Sequence, residues 1–119
     1  MICIKRVYDS PAADDGARFL VERLWPRGMK KEALHMESWL KDVAPSAELR
    51  HWFSHDPAKW AEFRRRYTAE LDGNRAAWES LLEAARRGTV TLLYSAHDVE
   101  HNSALLLKTY LEERLSSTS

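Results

Sequence analysis

Phe19-Leu-Val-Glu-Arg-Leu-Trp-Pro-Arg-Gly28 is an apolar run with the character of a strand, and it stops in a Trp-Pro-Arg-Gly turn. A second run, Val90-Thr-Leu-Leu-Tyr-Ser-Ala96, stops in the polar string His97-Asp-Val-Glu-His-Asn102. The same arrangement therefore occurs twice. Between the two lie segments with helical period, and strands alternating with helices indicate an α/β layer architecture. The expected fold is a small, mostly parallel sheet of about four strands with helices packed on it, in a single domain. In such sheets ligands gather outside the carboxyl ends of the strands. That rule makes Asp9, residues 23–28 and residues 97–102 neighbours in one crevice.

The remaining elements follow from local pattern. Residues 2–8 place Ile2 and Ile4 in alternation and lead into Asp-Ser-Pro, a strand followed by a turn. A second strand is expected over residues 18–24, and a weak third over 36–43, where helix is the open alternative. Ser46 after Pro45 is a candidate N-cap for a short helix whose Leu49, Trp52 and Phe53 share a face. Asp56-Pro57 starts the next helix, and Trp60, Phe63, Tyr67 and Leu71 form its apolar stripe down to Gly73. Trp78, Leu81, Leu82 and Ala85 continue the helical period to Gly88. After the buried strand at 89–95, Asp98 or Asn102 caps a last helix with Ala104, Leu107 and Leu111 toward the core. The domain is expected over residues 1–115, with 116–119 as a polar tail.

With 119 residues and 45% hydrophobic content, one core can be buried without staples. The single cysteine, Cys3, has no partner in the chain, reads as a small core residue, and sets a reducing, cytoplasmic location as the expectation. No stretch reaches the ~20 apolar residues of a membrane span, so no membrane partner is expected. A formal net charge of zero from 18 basic and 18 acidic residues argues against nucleic acid as a partner. Any anion site must be local. Twelve of the basic residues are arginines, the side chain suited to planar capture of phosphate or carboxylate.

Arg23 and Arg27, with Lys31 beyond them, are candidates for an anion clamp in which Gly28 lets the backbone approach; a salt-bridged turn is the structural alternative. Arg6 must either point into the site or pair with Asp9 or Glu22. The run Arg64-Arg-Arg66 reads as a solvated helix face, with Arg64 alone near enough to the apolar stripe to reach the crevice. Tyr94 and Ser95 stand close to any ligand there. His97-Asp-Val-Glu-His101 matches the H-x-x-E-H zinc pattern, but that pattern needs both histidines inside one helix, whereas Asp98 and Asn102 read as caps. No metal is therefore assigned. Asp98 and His101 remain as candidate acid/base residues at a helix N-terminus. The sequence carries no Ser-His-Asp or Cys-His set, phosphate loop or dinucleotide fingerprint, and names no cofactor.

Arg6-Val-Tyr-Asp9, Leu20-Val-Glu-Arg-Leu-Trp-Pro-Arg-Gly28, Ala44-Pro-Ser46 with Leu49-Arg50, Trp52-Phe53 with His55-Asp56, and Thr91-Leu-Leu-Tyr-Ser-Ala96 together resemble the YeaO-like branch of the domain family DUF 488. The likeness runs through nearly the whole chain and includes Phe63, Arg64, Tyr67, Glu70 and Leu71. It implies a small α/β domain and marks Arg6, Tyr8, Arg23, Trp25, Arg27, Arg50, Arg64, Asp98, His101 and Asn102 as the polar pattern. Two departures stand out: Glu22 where relatives commonly carry Asp, and His97 where they commonly carry Lys. A cysteine near the end of the last strand in longer members is replaced here by Tyr94-Ser95, so thiol chemistry does not transfer. The family carries no settled activity. Three functions are therefore expected in this order: binding of a small phosphorylated or other anionic ligand by Arg6, Tyr8, Arg23, Arg27, Lys31, Arg50, Arg64, Tyr94 and Asn102; an enzyme acting on that ligand through Asp98 or His101; and an interaction module without a small-molecule site. The oligomeric state is open.

Overall fold

Val90-Thr-Leu-Leu-Tyr94 is buried along its whole length, as a central strand of a parallel sheet must be. In the computed structural model, which describes residues 1–117, this segment is β4 and lies between β1 (Ile2–Arg6) and β2 (Ala17–Leu20). A two-residue strand, β3 (Ser38–Trp39), completes the order β1-β4-β2-β3, and every neighbouring pair is parallel. Three α-helices lie between β3 and β4, α1 (Ala47–Phe53), α2 (Trp60–Asp72) and α3 (Arg75–Arg87), and α4 (Ser103–Ser117) follows β4.

Register assigns the two faces. Ile2, Ile4, Val90, Leu92 and Phe19 turn one way and pack with residues of all four helices, among them Phe53, Phe63, Tyr67, Trp78, Leu82, Leu107 and Leu111. Val7, Leu20 and Leu93 turn the other way, into a cluster to which none of the four α-helices contributes among the described residues. There the sheet is covered by the long β2–β3 connection, through Trp25, Met29, Leu34 and Met36, with Trp39 of β3 beside them. The α/β sheet expected from the sequence is thus present, with its helices gathered on one face.

Several boundaries move for identifiable reasons. The first two strands end at Arg6 and Leu20, short of residues 8 and 24. Beyond Leu20, Val21 still donates to the Leu93 carbonyl at 3.2 Å, but the next main-chain partner is replaced by a side chain. Glu22 Oε1 accepts the Ser95 N–H at 2.7 Å, which closes the ladder. Residues 36–43 divide into β3 and a 3-10 turn at Lys41–Val43, so each of the two open readings describes part of the segment. Asp56 and Pro57 begin a 3-10 turn that leads into α2 at Trp60. The expected tail at 116–119 is helical through Ser117, while residues 118–119 lie outside the described residues. The last turn is held by Arg114, whose guanidinium sits 3.5 Å from the Tyr110 ring centroid and pairs with Asp72 of α2 at 3.1 Å.

Two glycines meet backbone demands. Gly28 has φ 78 in the turn closed by Met29 N–H on the Pro26 carbonyl, the left-handed position that a type II turn gives to glycine. Gly16, at φ 68, packs so tightly that a Cβ would collide with the Thr89 carbonyl.

Candidate functional site

Because all strands are parallel, their carboxyl ends and the segments after them meet at one edge of the sheet. Arg6 closes β1 opposite Tyr94 of β4, on the helix-bearing face. Its Nε donates to the Ala96 carbonyl at 3.0 Å and its Nη2 to the Ser95 carbonyl at 3.3 Å. Neither Asp9 nor Glu22, its expected structural partners, forms an ion pair with it. The guanidinium lies 5.1 Å from the Tyr8 ring centroid, and the Tyr8 hydroxyl donates to the Arg27 carbonyl at 2.8 Å. Tyr94 is buried beside them; burial pushes its hydroxyl pKa up, the Arg6 charge opposes that, and the charges of Asp9 and Asp98 reinforce it. The structure therefore brings Arg6, Tyr8 and Tyr94 together.

Arg23 follows β2 and donates from Nε and Nη2 to the carbonyls of Pro45 and Ala44, both at 3.1 Å. Arg23 thus fastens the end of β2 to the start of α1. The same corner is braced by Glu70, which accepts from the Ser46 N–H at 2.8 Å and the Ser46 hydroxyl at 2.6 Å, while that hydroxyl caps α1 by accepting from Leu49 N–H. Tyr67 adds a hydrogen bond to the Val43 carbonyl, and its deep burial drives its hydroxyl pKa far upward. Arg23, Tyr67, Glu70 and Asn74 line a depression of about 310 Å³ at this corner.

Arg50 sits on α1 beside buried Leu49, and its Nε is enclosed without a hydrogen-bond partner. Arg27 is exposed at the turn, and Lys31 is exposed in the 3-10 turn Lys31–Ala33. Arg64 does not join the strand ends. It lies in a separate depression of about 350 Å³ between α2 and α4, with Thr68, Leu106 and Thr109.

The loop after β4 organises itself around Asp98. Its Oδ1 accepts from the N–H groups of Glu100 at 2.9 Å and His101 at 3.0 Å, and its Oδ2 lies 2.9 Å from His101 Nδ1. The Glu100 amide first, and then His101, lower the Asp98 pKa. His101 stands edge-on to Trp60 with centroids 5.1 Å apart, which ties this loop to the start of α2. Asn102 is buried, and its Oδ1 accepts from Leu105 N–H at 2.9 Å. It serves as the α4 cap, and its Nδ2 donates to the Asp98 carbonyl at 3.1 Å. His97 is exposed in the loop, and α4 begins only at Ser103, so the two histidines do not share a helix. Among the described residues no three His, Cys, Asp or Glu side chains cluster as metal ligands.

Charge divides the arginines into two sets. Arg18, Arg65, Arg66, Arg75, Arg86 and Arg114 stand in ion pairs. Among the described residues Arg6, Arg23, Arg27, Arg50, Arg64 and Arg87 stand in none, and the first three of these belong to the ends of β1 and β2 and the turn that follows. Glu22 is committed to Ser95, Glu70 to Ser46 and Asp98 to its own turn. The brace between Ser46 and Glu70 escapes sequence reasoning because 24 positions separate the two residues. The cluster of Lys5, Asp15 and Arg18 was also missed, though an arginine in a strand beside an aspartate at i−3 was a visible signal.

Among the described residues no helix is long and apolar enough to cross a membrane. Comparison with known proteins matches residues 1–119 to the family described as "Inactive DUF488-N3 subclade". The chain is 44% identical over 107 residues to the uncharacterized protein YeaO of Escherichia coli K12, covering 90% of this chain and 93% of that protein. It is 40% identical over 111 residues to uncharacterized proteins Mb3100c of Mycobacterium bovis and Rv3073c of Mycobacterium tuberculosis, covering 93% of each partner in both cases. No solved structure matches it. With the motifs in order along an all-parallel α/β sheet, the chain belongs to the DUF488-N3i family, within its YeaO-like branch.

Proposed function

We propose that the protein binds a small phosphorylated or other anionic molecule at the carboxyl ends of its strands, against Arg6, Arg23, Arg27 and Arg50. The observation that carries this reading is the charge left over there. Arg6 and Arg23 donate only to main-chain carbonyls, and Arg50 holds an enclosed Nε with no partner. A guanidinium carries five N–H donors, and carbonyls satisfy hydrogen bonds without cancelling its charge. An anion would supply the missing countercharge, and the C-terminal edge of a parallel sheet is where such folds take ligands. The free Cys3 fits a reducing, cytoplasmic setting.

A second reading, an enzyme acting on the bound anion, is favoured by the Asp98–His101 pair, in which the carboxylate orients the ring through Nδ1. The family description as inactive ranks it behind binding alone.

The test is thermal unfolding of wild type and Arg50→Met against inorganic phosphate, sulfate, sugar phosphates and nucleotides. A ligand at about a hundred times its dissociation constant adds ~2.7 kcal/mol, a rise on the order of 10 °C for a domain of this size. A rise in wild type that Arg50→Met lacks is the expected result. No rise with any anion, or equal rises in both proteins, contradicts the reading.

A further inference from the structure

Four large apolar side chains are strongly exposed: Met1, Tyr8, Leu24 and Val99. Met1 begins the chain ahead of β1, at the opposite edge of the sheet. The other three belong to the segments that follow β1, β2 and β4, three adjacent strands, and Arg6, Arg23 and Arg27 lie at the ends of the first two of them. Exposed apolar groups beside uncompensated cations suit a ligand that is anionic at one end and apolar at the other.

Tyr8 narrows the class. It is 45% exposed, yet it is fixed at two points: its hydroxyl bonds the Arg27 carbonyl at 2.8 Å and the Arg6 guanidinium covers its ring at 5.1 Å from the centroid. A side chain exposed for solvent contact alone has no need of such mounting. An aromatic ring with an arginine on one face and its hydroxyl tied down is a platform on which a second flat ring can stack at little entropic cost. Arg6 commits two of its five N–H donors to carbonyls, so the same guanidinium that backs Tyr8 retains donors for an anion.

We infer that the anion carries a planar aromatic ring that stacks on Tyr8, as in a nucleoside monophosphate, with its charged group held by Arg6 and its neighbours. The inference rests on the anion-binding reading and adds the chemistry of the ligand's other end. Leu24 and Val99 would flank that ring from the β2 and β4 sides.

Calorimetric titration of the whole protein with AMP, ribose 5-phosphate and inorganic phosphate tests it, in wild type, Tyr8→Phe and Tyr8→Leu. Stacking on one aromatic side chain is worth roughly tenfold in affinity, so wild type binds AMP about that much tighter than ribose 5-phosphate. Tyr8→Phe keeps the preference because it keeps the ring. Tyr8→Leu, which retains apolar bulk without a π face, brings AMP down to the level of ribose 5-phosphate. Equal affinity of wild type for AMP and ribose 5-phosphate, or a preference that survives in Tyr8→Leu, overturns the stacking inference while leaving anion binding standing. Failure of all three probes to bind overturns both.

Discussion

Arg18 and Arg6 both lie on strands of one small sheet, yet they live in opposite electrostatic worlds. On the helix-free face, Arg18 is 7% exposed and pairs with Asp15, while its Nε donates to the His35 carbonyl at 2.6 Å. Asp15 also takes Lys5 at 2.8 Å and the Ala12 N–H at 3.0 Å, so two cations share a carboxylate that is itself hydrogen-bonded. At the strand ends Arg6 and Arg23 meet main-chain carbonyls, on α1 the Arg50 Nε meets nothing, and Glu22 and Glu70 are engaged by Ser95 and Ser46. A buried cation in a finished fold is normally matched by a countercharge. The first cluster is closed in that sense, whereas the second leaves charge in surplus at the edge where parallel sheets bind ligands.

The contrast can be broken by removing the countercharge from the closed cluster. Asp15→Ala strands Lys5 and Arg18 without a partner, and it is expected to give the largest fall in unfolding temperature of any change named here, read by calorimetry. Acid should do the same reversibly. Lys5 first, then the Ala12 amide and Arg18, hold the Asp15 carboxyl at about 2 against an ordinary 3.8. A depressed carboxylate pKa stabilises the fold above the unfolded value, and that stabilisation is lost as pH falls from about 4 toward 2. Urea midpoints at pH 5 and pH 2.5 should therefore differ more in wild type than in Asp15→Asn. Equal differences would mean that the acid response comes from elsewhere, for instance from Glu62, also held near 2 by Arg65 and Arg66 on the exposed face of α2.

Smaller effects sharpen the comparison from the other side. Arg23→Ala removes two hydrogen bonds between the end of β2 and the start of α1 and should cost about 2 kcal/mol in denaturant unfolding. Asn102→Ala removes the α4 cap at about 1 kcal/mol. Arg50→Met should cost least. Removing an enclosed donor that has no partner forfeits no bond, so the unfolding free energy should stay within about 0.5 kcal/mol of wild type or rise. A cost as large as that of Arg23→Ala would show that Arg50 is a structural residue after all.

How far the sequence displayed this is clearest from particular residues. The stripe Phe63, Tyr67 and Leu71 and the run Val90–Tyr94 were legible because burial repeats at helical period in one and is continuous in the other. The Trp-Pro-Arg-Gly turn declared itself through the positive φ that Gly28 supplies. The placement of all helices on one face was not legible, because Trp25, Met29, Leu34 and Met36 cover the other face from an irregular connection with no period. At the site, type and rough location of the arginines were readable, but not their partners: Arg6 reaches carbonyls about ninety positions away, and Arg64, close in sequence to the core stripe, faces α4 instead. Of the two candidate caps for α4, Asp98 and Asn102, only the geometry of the Leu105 amide shows that Asn102 takes that part.

The most direct measurement is a titration with inorganic phosphate followed through the arginine Nε–Hε resonances in nitrogen-edited NMR. Resonances of Arg6, Arg23 and Arg50 should move together along one saturating curve, while that of Arg18, closed by Asp15, stays fixed. If those three stay fixed, or move no more than exposed Arg75 on α3, the surplus charge at the strand ends does not hold an anion and the two arginine clusters differ only in structure.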